Sequence, residues 1–215
     1  LSFQDLLQII PELKQNYAVL TIEGQRVFTY KTDYYDTPNL NMFIDHHNGK
    51  LNRYKIRQRR YIESDLEFLE IKFKNNKGQT LKKRIKNNHI HSDDAIQLIS
   101  ESTPYDPRSL GRKITTYFNR FTLVDFPKTS RITIDFNLRF AETERDIILE
   151  NLVIFEIKQE KEFANKNIYY LLKEKSIRPC SVSKYCLGLT LINNLPKANI
   201  FKDTIRKINR INHVS

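Results

Sequence analysis

The chain has 215 residues, and hydrophobic types make up 40% of them, including 13 Phe and 11 Tyr. This amount of apolar material supports a folded core and excludes an intrinsically disordered chain. The formal net charge of +11 predicts an anionic partner, which is a nucleic acid, a membrane surface or a phosphate compound.

The N-terminal half predicts one helix followed by a series of strands. Ser2 is placed to cap the helix, in which Leu6, Ile10 and Leu13 recur at helical spacing. From Tyr17 onward the apolar period changes to two, which is typical of strands. The first helix is predicted over 2–16, the strands over 19–22, 26–35, 51–64, 66–74 and 80–86, and a short second helix over 40–47.

The C-terminal half continues with helices and strands in alternation. Ser92 is a suitable cap for a third helix, because Asp93 and Asp94 follow it in the first turn. Further strands are predicted over 113–125, 131–140 and 152–158, and further helices over 92–100, 161–175 and 201–211. The chain is therefore expected to form one α+β domain over 1–215, an antiparallel β-barrel or tunnel with flanking helices, in which 196–215 carries the C-terminal helix.

Alternate positions of the predicted strands separate an ionic face from an apolar one, because successive side chains of a strand point to opposite faces. The ionic face comprises Lys55, Arg57, Arg59, Glu70, Lys72, Lys74, Lys82, Arg84, Lys86, Arg131, Thr133, Asp135, Asn137, Arg139, Glu156 and Lys158. Like charges on neighbouring strands repel each other unless an anion lies between them. Closing the sheet would place this face inside a barrel; a solvated outer face is the alternative.

Eight short segments follow one another along the chain: Tyr34-Tyr35-Asp36-Thr37, His47-Asn48-Gly49, Lys55 to Tyr61, Phe68 to Lys72, Asn119-Arg120, Arg131 to Asp135, Phe155 to Lys158 and Ser183-Lys184-Tyr185. In this order they resemble the VTC domain, the polyphosphate polymerase domain of the vacuolar transporter chaperone family within the triphosphate tunnel metalloenzymes. The resemblance covers about residues 17 to 190, and its strength lies in the ordered combination.

The resemblance implies a basic tunnel that binds ATP, triphosphate or polyphosphate and transfers the γ-phosphate of ATP to a growing polyphosphate chain. The residues expected to act in catalysis are Arg57, Arg59, Lys72 and Lys184. Phosphate binding is predicted for Lys55, Arg57, Arg59, Lys72, Lys82, Arg84, Arg120, Arg131, Lys158, Ser183 and Lys184. A divalent metal, manganese or magnesium, is expected on Glu156, with Glu70 as a second candidate, because hard cations prefer oxygen ligands.

Other functions stay open on the sequence alone. The same tunnel would serve a metal-dependent hydrolase of tripolyphosphate or polyphosphate, or a polyphosphate-binding sensor without catalysis. The family has a charged strand before its first helix, and we expect residues 1–215 to lack it. A nucleic-acid-binding protein is the third class, but carboxylates interspersed among the cations fit it poorly, so no nucleic-acid partner is expected.

The expected location is the cytoplasm, because Cys180 and Cys186 give neither a disulfide framework nor zinc spacing. The sequence contains no apolar run of the length that spans a bilayer. The resemblance leaves open a peripheral attachment through a membrane-protein partner, as in the eukaryotic complexes. The oligomeric state is left open as well.

Overall fold

The computed structural model describes residues 1–86, 89–159, 166–193, 195 and 198–213. The strands belong to one antiparallel sheet. They are β1 (Tyr17–Val19), β2 (Phe28–Asp36), β3 (Arg53–Tyr61), β4 (Leu66–Lys74), β5 (Thr80–Lys86), β6 (Gly111–Asp125), β7 (Ser130–Glu142), β8 (Arg145–Leu149) and β9 (Ile154–Gln159). The α+β architecture and the antiparallel sheet predicted from the sequence are confirmed.

The helices lie before, between and after these strands. Ser2 begins the first one through a capping box, in which its hydroxyl accepts from the Asp5 amide and the Asp5 carboxylate accepts from the Ser2 amide. The helices are α1 (Phe3–Leu13), α2 (Asn41–His47), α3 (Asp93–Ser102), α4 (Lys166–Glu174), α5 (Lys184–Ile192) and α6 (Lys202–His213). Among the described residues, none of these helices is long and apolar enough to cross a membrane.

The strands follow the order β5-β4-β3-β2-β6-β7-β8, with β1 paired to β6 and β9 paired to β7. Over the described residues β5 does not pair with β8 or β9, so the sheet is open along one side, which is compatible with the predicted tunnel-like barrel. The chain start lies beside β9, since Ser2 forms an antiparallel bridge with Leu152. The ionic face is therefore the inner surface of a groove.

Helices cover the outer, apolar face of the sheet, as predicted. Ile56, Leu69 and Ile71 pack with residues of α3, including Ala95 and Ile99. At the other end of the sheet, Leu123, Ile132 and Ile134 belong to a second core with residues of α1 and α4. Because these apolar side chains are buried under the helices, the opposite side of each strand faces the groove.

Helix α5 was not predicted from the sequence, and it occupies part of the inner face. Its buried residues pack against Ile114, Phe118 and Phe140 of β6 and β7. The helix is apolar on most sides, so it lacks the periodic polar stripe by which an amphipathic helix is recognised. Gly188 permits the close approach, because a Cβ atom there would lie 2.6 Å from Ile114 Cδ1 and closer still to Phe140.

Strand β7 departs from the predicted alternation at Asn137. This residue has a φ of 52°, and the register between β6 and β7 shifts beside it. The extra residue of such a bulge reverses the faces of all positions that follow. The prediction that Arg139 shares the groove face with Asp135 is therefore wrong: Arg139 is exposed and pairs with Asp146, while Phe140 turns into the core around α5.

Other boundaries differ locally from the predictions. Strand β1 ends at Val19, so a strand over 19–22 is wrong, and β8 was not predicted. The predicted helix over 161–175 corresponds to α4, and its positions 161–165 lie outside the described residues. The C-terminal helix predicted within 196–215 corresponds to α6; positions 196, 197, 214 and 215 lie outside the described residues.

Candidate functional site

Strand β3 supplies the central cations of the groove. Arg57 donates from Nε to Glu70 Oε2 of β4 at 2.6 Å. Lys55 donates from Nζ to Ser183 Oγ at 2.8 Å, which connects β3 to the start of α5. Arg59 is only 8% exposed and donates from Nε to Thr32 Oγ1 of β2 at 3.3 Å. All three side chains are thus held by neighbouring elements on one face of the sheet.

Tyr34 of β2 lies opposite Arg57 in the sheet register, and its side chain is buried. Burial by itself would raise the pKa of this phenol, but Arg57, Arg59, Lys184 and Lys55 outweigh it and lower the pKa. Four cations that the sequence predicted for the site thus converge on one hydroxyl. Sequence reasoning did not select Tyr34, although it belongs to the first segment of the family resemblance.

A second group of charges, which we call the buried cluster, consists of Arg120 of β6, Asp135 of β7 and Lys184 of α5. Arg120 donates from Nη2 to Asp135 Oδ2 at 2.7 Å and from Nε to Oδ1, and Lys184 Nζ also donates to Oδ2. Asp135 is 1% exposed. Its pKa is lowered, because its bonds and charge interactions with Arg120 and Lys184 overcome the opposite effect of burial.

An aromatic pair lies beneath these cations. The rings of Tyr30 and Phe118 stack with centroids 4.9 Å apart and an interplanar angle of 6°. Lys184 Nζ lies 4.4 Å from the Phe118 centroid, and Arg120 Cζ lies 5.1 Å from that of Tyr30. Arg59 Cζ of β3 lies 5.4 Å from the ring centroid of Tyr30, which is on the neighbouring strand β2. The rings hold the cations by cation–π attraction, a role that the sequence pattern did not reveal.

The opposite side of the groove, which we call the exposed wall, consists of Lys72 of β4 with Lys82 and Arg84 of β5. The register aligns Lys55, Lys72 and Lys82 across three strands, and likewise Arg57, Glu70 and Arg84. The three side chains of the exposed wall are exposed to solvent. Apart from the Glu70 row, where Arg57 holds the carboxylate, positive charges predominate on this wall.

Charges on β9 face the exposed wall across the groove. Although Lys72 is accessible to solvent, partial desolvation within the groove is the main cause that lowers its pKa. Lys55, Arg57 and Lys82 lower it further, while Glu156 acts in the opposite direction. Four strands separate β4 from β9 in the sheet order, so this interaction crosses the groove rather than following the sheet. Glu156 pairs with Lys158 at 3.4 Å, and the Glu156 side chain is 51% exposed.

Arg131 lies apart from the centre of the groove. It is exposed, and its cross-strand neighbours are Val124 and Lys158. Burial lowers the pKa of Lys158, and Arg120 and Arg131 lower it further, which places Arg131 at the β9 end of the basic surface. The structure therefore brings most of the predicted phosphate-binding residues onto one face, with Arg131 at its periphery.

The carboxylates of the groove differ in their availability to a metal ion. Both oxygens of Asp135 accept from cations, and Glu70 Oε2 is held by Arg57. Glu156 is the more accessible group, and its position facing Lys72 fits an ion shared with phosphate oxygens. Among the described residues, no three His, Cys, Asp or Glu side chains form a metal-binding group by themselves. A divalent ion held by Glu156 would take its other ligands from substrate oxygens and water.

Comparisons with known proteins agree with this architecture. The family model of the VTC domain matches residues 1–193. No curated protein matches the chain.

Two solved structures share the fold at low sequence identity. One is a candidate adenylate cyclase from Bacillus halodurans, with 14% identity and a TM-score of 0.56 over 85% of this chain and 89% of that one. The other is a candidate adenylyl cyclase from Hippeastrum, described as having a dominant triphosphatase activity. It has 13% identity and a TM-score of 0.58 over 91% of this chain and 94% of that one. At these identities the likeness concerns the fold alone.

Proposed function

Because the chain belongs to the VTC domain family, we propose that it binds ATP and polyphosphate in its basic groove and transfers the γ-phosphate of ATP to a growing polyphosphate chain. The observation that carries this proposal is the clustering of Lys55, Arg57 and Arg59 of β3 with Lys184 of α5 on one face of the sheet, around the buried Tyr34. Such a concentration of positive charge is costly unless an anion joins it. A chain of phosphates is an anion of matching shape, since it carries charge along its length.

The transfer breaks the bond between the γ-phosphorus and the oxygen that bridges to the β-phosphate. A new bond forms between this phosphorus and a terminal oxygen of the polyphosphate, and ADP leaves with the bridging oxygen. Phosphoryl transfer asks the protein mainly for positioning and for neutralisation of charge. Arg57 and Arg59 would hold phosphate oxygens through their planar guanidinium groups, while Lys72 and Lys184 would act as point charges from opposite sides of the groove.

A divalent metal, manganese or magnesium, would supply charge neutralisation on the phosphate oxygens when bound. Glu156 is the residue that would hold it, because its side chain is half-exposed and faces Lys72 across the groove. Glu70 fits this role less well, since Arg57 holds one of its oxygens. The same bond keeps Arg57 oriented along β3 and so contributes to phosphate binding.

Incubation of the protein with ATP and manganese or magnesium tests the polymerase reaction, with polyphosphate resolved on gels and ADP measured in parallel. We expect chain growth with one ADP per phosphate added, and its loss in Arg57→Ala and Glu156→Gln variants. Arg139→Ala is the matched control, because Arg139 is exposed on the outer face and pairs with Asp146. ATP turnover without polymer would contradict the polymerase reaction.

A hydrolase is the second candidate, and the structure from Hippeastrum favours it through the triphosphatase activity stated for that protein. The same cations would then hold tripolyphosphate while water, rather than a phosphate chain, attacks the terminal phosphorus. Orthophosphate release from tripolyphosphate, with no polymer from ATP, would replace the polymerase by the hydrolase. Tight binding of polyphosphate without either product would indicate a binding module.

A further inference from the structure

We propose that Asp135 is a positioning residue of the groove: it fixes Arg120 and Lys184 in one arrangement in which both cations bind the same phosphate chain. This inference rests on the proposed function, because it concerns how the same groove recognises phosphates. Asp135 is an unusual member of a phosphate site, since its negative charge repels the ligand. Its place between two cations therefore calls for a role that compensates for this repulsion.

In the buried cluster, Asp135 holds Arg120 and Lys184 side by side. Arg120 approaches Asp135 with two parallel donors, which defines both the distance and the plane of the guanidinium group. Lys184 shares Oδ2 with Arg120, so the ammonium lies beside the guanidinium although the two residues come from different elements. Both side chains are largely buried, with exposed fractions of 15% for Arg120 and 13% for Lys184. Long flexible side chains are thus held before any ligand arrives.

The surroundings of Lys184 disfavour its charged form, and Asp135 opposes this effect. Lys184 also lies near Arg120 and Tyr34, and the neighbouring Ser183 accepts from Lys55 of β3. Burial is the main cause that lowers the pKa of the Lys184 ammonium, and Asp135 acts against this effect. Without the carboxylate, the ammonium would repel Arg120 and favour either the neutral form or another rotamer. Asp135 therefore maintains both the charge and the place of Lys184.

A double-mutant cycle on Asp135 and Lys184 tests this inference, with calorimetric titration of inorganic tripolyphosphate into the full chain. The variants are Asp135→Asn, Lys184→Met and the combination of both. If Asp135 acts through Lys184, we expect about tenfold weaker binding in each single variant and little further loss in the double variant. Full additivity in this cycle and in the same cycle with Arg120→Met in place of Lys184→Met, or tighter binding by Asp135→Asn through removal of a repelling charge, would overturn the positioning role.

Two further variants keep the test interpretable. Asp135→Glu preserves the charge but displaces the carboxylate by one methylene, so it covers the case in which Asp135→Asn does not fold. Positioning predicts weaker binding by Asp135→Glu as well, whereas wild-type affinity would overturn it. Asp146→Asn is the matched control, because Asp146 accepts from Arg139 Nε at 2.6 Å outside the groove; its binding should equal that of the wild type.

The outcomes also separate this inference from the proposed function. If the wild type does not bind tripolyphosphate, the proposed function fails, and the positioning role fails with it. If the wild type binds and Arg57→Ala weakens binding, while the Asp135 variants bind like the wild type, only the positioning role fails.

Discussion

The two sides of the groove carry positive charge in different ways. The exposed wall of Lys72, Lys82 and Arg84 consists of solvated side chains on β4 and β5, the second of which is an edge strand. The buried cluster of Arg120, Asp135 and Lys184 is enclosed, contains its own carboxylate and lies on stacked aromatic rings. Solvated charges attract a ligand over a distance and adapt to it, whereas enclosed charges are fixed in advance. We therefore expect the exposed wall to affect capture and the buried side to affect recognition.

The largest effect is expected between these two sides, at Arg57. Its guanidinium lies beside Tyr34 and donates to Glu70, so Arg57→Ala removes a central cation and the ion pair of Glu70. Because a charged hydrogen bond contributes about 1.5–3 kcal/mol, we expect roughly 10- to 100-fold weaker tripolyphosphate binding. Calorimetry measures this change, and Arg139→Ala serves as control. Unchanged affinity would remove Arg57 from the site.

The second-largest effect is expected from displacing α5, since this helix carries Lys184 into the buried cluster. Gly188→Ala would place a methyl group against Phe140 and Ile114. We expect a loss of about 1–3 kcal/mol in the free energy of unfolding, and weaker tripolyphosphate binding as α5 moves away from β6 and β7. Urea unfolding and calorimetry measure the two effects.

Gly111→Ala is the matched control for this substitution, because the described atom nearest to the added Cβ would be Lys113 Nζ, at 3.9 Å. Equal stability of the two variants would show that α5 is not packed as closely as described. Normal ligand binding by a destabilised Gly188→Ala variant would separate the helix position from recognition.

The dependence of tripolyphosphate binding on pH tests the contribution of Lys184 in the buried cluster. The pKa of Lys184 is lowered mainly by burial, so this lysine loses its proton at a lower pH than an ordinary one. As pH rises through that lowered pKa, the wild type should lose the contribution of Lys184 to tripolyphosphate affinity. The ratio of wild-type to Lys184→Met affinity should therefore decrease as the pH rises from neutral towards the ordinary pKa of lysine. The ionisation of the ligand cancels in this ratio, and a constant ratio would contradict the prediction.

The smallest effects are expected on the exposed wall. Lys82→Ala and Arg84→Ala each remove one solvated charge, which contributes about 0.2–1 kcal/mol in comparable exposed pairs. We expect no more than about fivefold weaker binding, mostly through slower association, and a difference from the wild type that shrinks as salt is added. Stopped-flow association with tripolyphosphate at several salt concentrations measures this. A salt-independent loss greater than that of Arg57→Ala would reverse the proposed roles of the two sides.

Much of the exposed wall could be predicted from the sequence, because it depends on local alternation alone. In β3, β4 and β5 the period of two assigns Arg57, Lys72 and Arg84 to one face, and uninterrupted ladders preserve this assignment. The family resemblance pointed to Arg120 and Lys184 as well. It could not indicate that Asp135 holds them together, since that contact joins residues that are 49 positions apart.

The sequence by itself determined the composition of the two faces: cations on one and bulky apolar residues on the other, in an α+β chain. Tertiary structure decided which cations meet. The bulge at Asn137 turned Arg139 outward, and the packing of α5 against β6 and β7 brought Lys184 to Asp135. The physical reason is that alternation is a property of each strand alone, whereas bulges and helix docking arise from the pairing and packing of distant segments.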